Sequence, residues 1–146
     1  MNSFRRSMNL SLRFGKIQDR QDVLQMNALQ LAYLGDTVWE LIVRYELINL
    51  KYNVRHMHKS CVEKVNANAQ AQILRNILDV LTDEERSVVQ RGRNAHPGHA
   101  APRNQNPEDY TASTGFEALL GYLYMTGQDN RIQELVEKIK EVNSNV

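Results

Sequence analysis

The chain has 146 residues, 42% of them apolar and 24% charged, with seven glycines, three prolines, one cysteine and a formal net charge of +1. That is the length of one globular domain with a real core, and the composition excludes collagen-like, low-complexity and disulfide-stapled architectures. Cys61 has no second cysteine for a bridge or a zinc cage, and a lone thiol suits a reducing compartment, so the expected location is the cytoplasm.

Taken in chain order, the first segment, MNSFRRSMNLSLRFGKIQ, is basic and free of acid. It lacks a continuous apolar run ahead of a small-residue cleavage site, so it does not read as a secretion signal. Residues 1–21 are expected to form a basic arm, with an organellar targeting segment as the other reading, and residues 22–146 to form one helical domain. Between Met26 and Leu50 apolar residues recur at 31, 34, 38, 41, 42, 45 and 48, the spacing of one helical face, so a single long core helix is predicted. Asp36, Glu40 and Arg44 interrupt its apolar run, which falls short of the roughly 18–20 uncharged residues of a membrane span. Val54 to Leu81 repeats the pattern through Val62, Val65, Ala69, Ile73, Leu74, Ile77 and Leu78, with a break expected near Ser60.

Thr82 followed by Glu85 is a capping box and starts another helix through TDEERSVVQRGR. Residues 94–106 hold Pro97, Gly98 and Pro102 and read as a loop, long enough to suggest a function of its own. Asn106-Pro107-Glu108-Asp109 supplies a cap, a first-turn proline and first-turn acids for a helix reaching about Met125. Gly127 ends it, and 129–143 forms a last amphipathic helix. With no alternating strand pattern, the expected fold is all-α, with about five to seven helices in one domain.

The net charge of +1 conceals an uneven distribution. Residues 1–18, 47–62 and 86–107 carry arginines and lysines without a single acid, while Asp79, Asp83, Glu84 and Glu85 cluster together. Such a pattern is either a solvated surface or a face for a polyanion. Two carboxylates sit inside helices whose other residues favour burial: Asp36 in LAYLGDTVWELIV and Glu117 in STGFEALLGYLY. Small neighbours (Gly35, Gly115, Ala118, Gly121) admit a close backbone or ligand. Buried carboxylates are costly unless paired, hydrogen-bonded or metal-bound. Asp36 paired with Arg44 or bonded to Thr37, and Glu117 on a wet helix face, are the structural readings; together the two acids are also a donor pair for magnesium, which is commonly held by one or two carboxylates.

LAYLGDTVWELIVR at 31–44 and FEALLGYLY at 116–124 resemble the two signature motifs of the ribonuclease III family, and HKSCVEKVNANAQAQ at 58–72 with PRN at 102–104 resembles its compact branch without a double-stranded-RNA-binding domain. The resemblance spans residues 22–143. It implies a homodimeric, all-helical endoribonuclease that cleaves double-stranded RNA with Mg2+, with Asp36 and Glu117 as catalytic and metal-binding residues. The branch is associated with maturation of the large-subunit (23S) ribosomal RNA precursor, and a ribosomal protein is a further candidate partner. The compact branch lacks a separate RNA-holding domain and none is expected after the last helix, so the catalytic domain is expected to hold RNA itself.

Two features modify that reading. Where the wider family carries further carboxylates, this chain has Leu29, Ala32 and Thr114, which thins the metal site and leaves a catalytically silent RNA- or ribosomal-protein-binding module as the alternative. A helical protein-interaction domain without an RNA role is a second rival. Duplex RNA is read through shape, phosphates and 2′-hydroxyls, which calls for cationic and amide side chains. The leading RNA candidates are Arg91, Arg93 and Arg103, alongside His96 and His99, followed by Lys51, Arg55, His58, Lys59 and Gln70. Tyr33, Trp39, Tyr45, Phe116, Tyr122 and Tyr124 fall on helical faces and are expected to pack in the core or a dimer interface.

Overall fold

A computed structural model describes residues 14–49, 51–95 and 105–144. The described residues form seven α-helices and no strand: α1 Arg20–Leu24, α2 Ala28–Asn49, α3 Val54–Val65, α4 Ala67–Ile77, α5 Asp83–Arg93, α6 Pro107–Met125 and α7 Asp129–Ser144, with one 3₁₀ turn at Leu78–Val80. No described helix is long and apolar enough to cross a membrane. Residues 1–13, most of the predicted basic arm, and Arg103, His96 and His99 lie outside the described residues.

Local chemistry explains most helix boundaries. Thr82 and Glu85 exchange the two hydrogen bonds of a capping box, 3.1 and 2.9 Å long, at the start of α5. Asn106 accepts from the Glu108 and Asp109 N–H groups ahead of Pro107, the cap and first-turn proline that the sequence implies. Gly127 ends α6 at φ +72°, a left-handed conformation in which a side chain is strained, and here a Cβ would also meet Ile17 at 2.7 Å. The break expected near Ser60 lies instead at Asn66. Its side-chain oxygen accepts from Ala69 N–H to start α4, while its Nδ2 donates to the Val62 and Glu63 carbonyls that end α3. A hydrophobic pattern that continues across both helices hides this join, although Val62, one of its members, is exposed.

The α6 helix is the centre of the molecule. From Ala112 to Leu123 every residue except Glu117 is buried, which is how a helix surrounded by others looks. Its most extensive partner is α2. There Trp39 meets Phe116 edge to face, with ring centroids 5.2 Å apart and planes at 83°, and Trp39 Nε1 donates to the Lys64 carbonyl at the end of α3. The two backbones nearly touch: a Cβ at Gly35 would lie 1.7 Å from the Glu117 carbonyl oxygen, and one at Gly121 would lie 1.9 Å from the Leu31 carbonyl oxygen. The small residues flanking the two acids therefore admit another backbone. On the other side of α6, buried Glu85 accepts two 2.9 Å hydrogen bonds from Arg131, which also donates to the Val80 carbonyl and so ties α7 to the start of α5.

Candidate metal site and RNA interface

The glycine-mediated crossing of α2 and α6 places Asp36 beside Glu117. Burial pushes the Glu117 carboxyl up to about 8, the neighbouring Asp36 carboxylate adding to the rise and the Gln70 side chain opposing it. Two acids this close resist double ionisation, and a divalent cation between them removes that repulsion. The environments differ. Asp36 is exposed, whereas Glu117 is partly covered, so neither acid is fully buried. Arg44, one suggested partner of Asp36, pairs instead with Glu40 across one helical turn at 3.5 Å. Glu117 is half-buried rather than fully solvated.

The donor chemistry suits magnesium. The cation takes oxygen ligands, keeps several waters, and needs only one or two carboxylates from the protein. Among the described residues no cluster of three or more His, Cys, Asp or Glu side chains is positioned to hold a metal, so the two acids stand without a third. Beside them lies a further oxygen donor: Gln70 is 1% exposed, and its Oε1 is the one buried side-chain atom among the described residues without a hydrogen-bond partner. The positions where carboxylates are thinned are filled otherwise. Ala32 is buried, Leu29 lies at the surface, and buried Thr114 donates from Oγ1 to the Tyr110 carbonyl within its own helix at 3.0 Å.

The basic candidates separate into three groups. Lys51, Arg55, His58 and Lys59 are all exposed, at the α2–α3 turn and along the first two turns of α3. Lys51 adopts φ +59° in that turn, and beside it the rings of Tyr52 and His56 stack 4.2 Å apart at 3°. Arg93 is half-buried at the end of α5, its stem passing close to Gly115 of α6. Arg91 and Gln70 face inward. Arg91 donates to the carbonyls of Leu24 and Met26, the latter at 2.6 Å, and thus clamps the α1–α2 junction to α5. Gln70 is buried against Glu117. A cationic or amide residue near the motifs looks available to RNA in one dimension, whereas helix packing turns these two away from solvent. Of the aromatic residues, Trp39, Phe116 and Tyr122 are core, whereas Tyr33 and Tyr45 are 86% and 63% exposed.

Residues 29–128 match the Ribonuclease III domain family. The chain belongs to the ribonuclease III family. It is 47% identical over 115 residues to a Mini-ribonuclease 3 of Symbiobacterium thermophilum, covering 78% of this chain and 88% of that protein. It is 39% identical over 132 residues to a Mini-ribonuclease 3 of Enterococcus faecalis, covering 84% and 98%. A Fusobacterium nucleatum protein solved by X-ray crystallography shares the fold with a TM-score of 0.73 at 29% identity, over 85% of this chain and 97% of that one. These relatives put the chain in the Mini-ribonuclease III branch and identify it as an endoribonuclease, with the all-α fold that the periodicity implied.

Proposed function

We propose that the chain is a magnesium-dependent endoribonuclease of double-stranded RNA, acting in the cytoplasm on large-subunit (23S) ribosomal RNA precursors. The observation that carries the reading is the Asp36–Glu117 pair, brought together where α2 and α6 cross at two glycines. Asp36 and Glu117 would hold the cation. When bound, magnesium neutralises charge on the scissile phosphodiester and acidifies a coordinated water, the chemistry of hydrolytic strand cleavage.

The protein's own groups divide the remaining tasks. Exposed Asp36 stands where a phosphate backbone can approach. Glu117, fixed on the central helix, anchors the site against the core, and its proton must leave for the carboxylate to serve as a ligand. No serine, histidine or cysteine nucleophile is needed. Lys51, Arg55, His58 and Lys59 form the exposed surface that would track phosphates, with Arg93 at the end of α5 as a further cation.

A homodimer fits the exposed side of α2. Tyr33, Leu41, Tyr45 and Ile48 leave 86%, 59%, 63% and 62% of their surfaces uncovered, an apolar stripe of the kind that marks a protein interface. We place the partner protomer there.

Incubating the protein and its Asp36→Asn variant with a long RNA duplex, with and without magnesium, tests the proposal. The parent should cut only with the metal, and the variant should retain the duplex in a gel without cutting it. A parent that retains the duplex intact under both conditions would establish the silent binding module instead, and no retention even at low salt would favour an interaction domain without an RNA role.

A further inference from the structure

Gln70 sits in the first turns of α4, behind the carboxylate pair. Its Nε2 donates to the carbonyl of Val65, the last residue of α3, at 3.0 Å, and the same side chain lies close enough to Glu117 to oppose the rise of its carboxyl pKa. One amide thus joins the α3–α4 break to the central helix. The break is itself rigid, since Asn66 caps both helices there. The amide's orientation is dictated by its surroundings: only the NH2 end can bond the Val65 carbonyl, which leaves Oε1 buried with no partner. Buried polar atoms normally find partners, and an orphan acceptor is costly to keep. An apolar side chain of equal length would remove the orphan acceptor but strip the Val65 carbonyl of its donor. The amide thus serves the end of α3 through Nε2, while its Oε1 has no packing role.

A carboxylate on a flexible two-methylene stem holds a cation well only when its rotation is restrained, which is the usual task of a hydrogen-bonding neighbour behind a metal ligand. We infer that Gln70 is a positioning residue: anchored on the Val65 carbonyl, its amide holds Glu117 toward Asp36, and its unpartnered Oε1 is the acceptor reserved for a water that accompanies the cation. This inference rests on the proposal that Asp36 and Glu117 bind a divalent metal. It moves Gln70 from the RNA contacts to the metal site.

The test is titration of the RNA-free protein with Mn2+, followed by calorimetry, for the parent and for Gln70→Met, Gln70→Asn and Asp36→Asn variants. Duplex affinity in EDTA and thermal stability are measured alongside. Gln70→Met keeps the length and volume but removes the amide, and it should bind Mn2+ about 10–100-fold more weakly. The metal concentration that half-saturates cleavage should rise by the same factor, with duplex affinity in EDTA unchanged. Mn2+ affinity within twofold of the parent, whatever the change in thermal stability, overturns the inference and leaves Gln70 a packing residue. Weakened duplex binding with unaltered Mn2+ affinity overturns it too and returns Gln70 to the RNA contacts. Should Gln70→Met not fold, Gln70→Asn, whose amide is too short to reach both Val65 and Glu117, is read by the same criteria. Failure of the parent itself to bind Mn2+ removes the metal-site proposal and this inference with it, whereas a parent that loses Mn2+ on Asp36→Asn but not on Gln70 substitution sinks only the inference.

Discussion

Gly35 of α2 lies directly on the backbone of Glu117 in α6: a Cβ at position 35 would stand 1.7 Å from the Glu117 carbonyl oxygen and 2.6 Å from its carbonyl carbon. The glycine immediately precedes Asp36, so one close approach of two main chains sets both carboxylates side by side. Neither neighbour can yield, because both are helical backbone. Gly35→Ala should therefore push the helices apart, destabilising the fold by about 1–3 kcal/mol or more, as overpacking of a core does, and lowering cleavage beyond what lost stability explains. Urea denaturation and duplex cleavage at a temperature where the variant remains folded separate the two effects.

Glu117 makes stability depend on pH. Its folded-state value is raised from the ordinary 4.5 to about 8 by burial first and Asp36 second. Between those values the folded metal-free chain retains a proton that the unfolded chain has lost, so the contribution is complete below about 4.5 and disappears as pH rises through about 8. In EDTA the Tm should show this decline, and Glu117→Gln should flatten it and be the more stable protein above about pH 8. Saturating magnesium should also flatten it, by stabilising the ionised pair. A decline equally steep in Glu117→Gln would assign the effect to other groups.

Arg91 and Arg55 illustrate the difference between an inward and an outward cation. Arg55→Ala and Lys59→Ala should each weaken duplex binding and reduce the salt slope by about one unit for each phosphate left without its cation, with little change in Tm. Arg91→Ala removes donors from the partly buried Leu24 and Met26 carbonyls and should instead cost about 1 kcal/mol of stability, the usual effect of a lost hydrogen bond at a partly buried acceptor. Its salt slope should match the parent's. Filter binding across a salt series, with parallel thermal melts, checks both halves.

The apolar stripe on α2 predicts an association state. Leu41→Glu and Tyr45→Glu place charge on a surface that is already more than half exposed in the single chain, so the monomer should tolerate them. Sedimentation velocity should show a dimer for the parent and a monomer for the double variant. An unchanged dimer would locate the interface elsewhere.

The helices are largely legible in one dimension because their determinants are local. Thr82 and Glu85, Asn106 and Pro107, and Gly127 each act within a few residues of the boundary they set. Asn66 is hidden for the opposite reason: its two capping roles leave the apolar period across α3 and α4 uninterrupted, and an asparagine between two such runs looks ordinary until the chain turns there.

The sequence by itself determined that this is an all-helical chain and that Asp36 and Glu117 are its two anomalous acids, since patterning and the cost of placing a charge among apolar residues depend only on neighbours in the chain. Tertiary structure decided their meaning. It set the two acids together across α2 and α6, put one at the surface and the other against the core, and placed Gln70 behind the pair. It also turned Arg91 inward while leaving Arg55 and Lys59 outside. Those outcomes depend on which helix faces which, and that is settled by close-packing of backbones at Gly35 and Gly121, against residues some eighty to ninety positions away that no local pattern encodes.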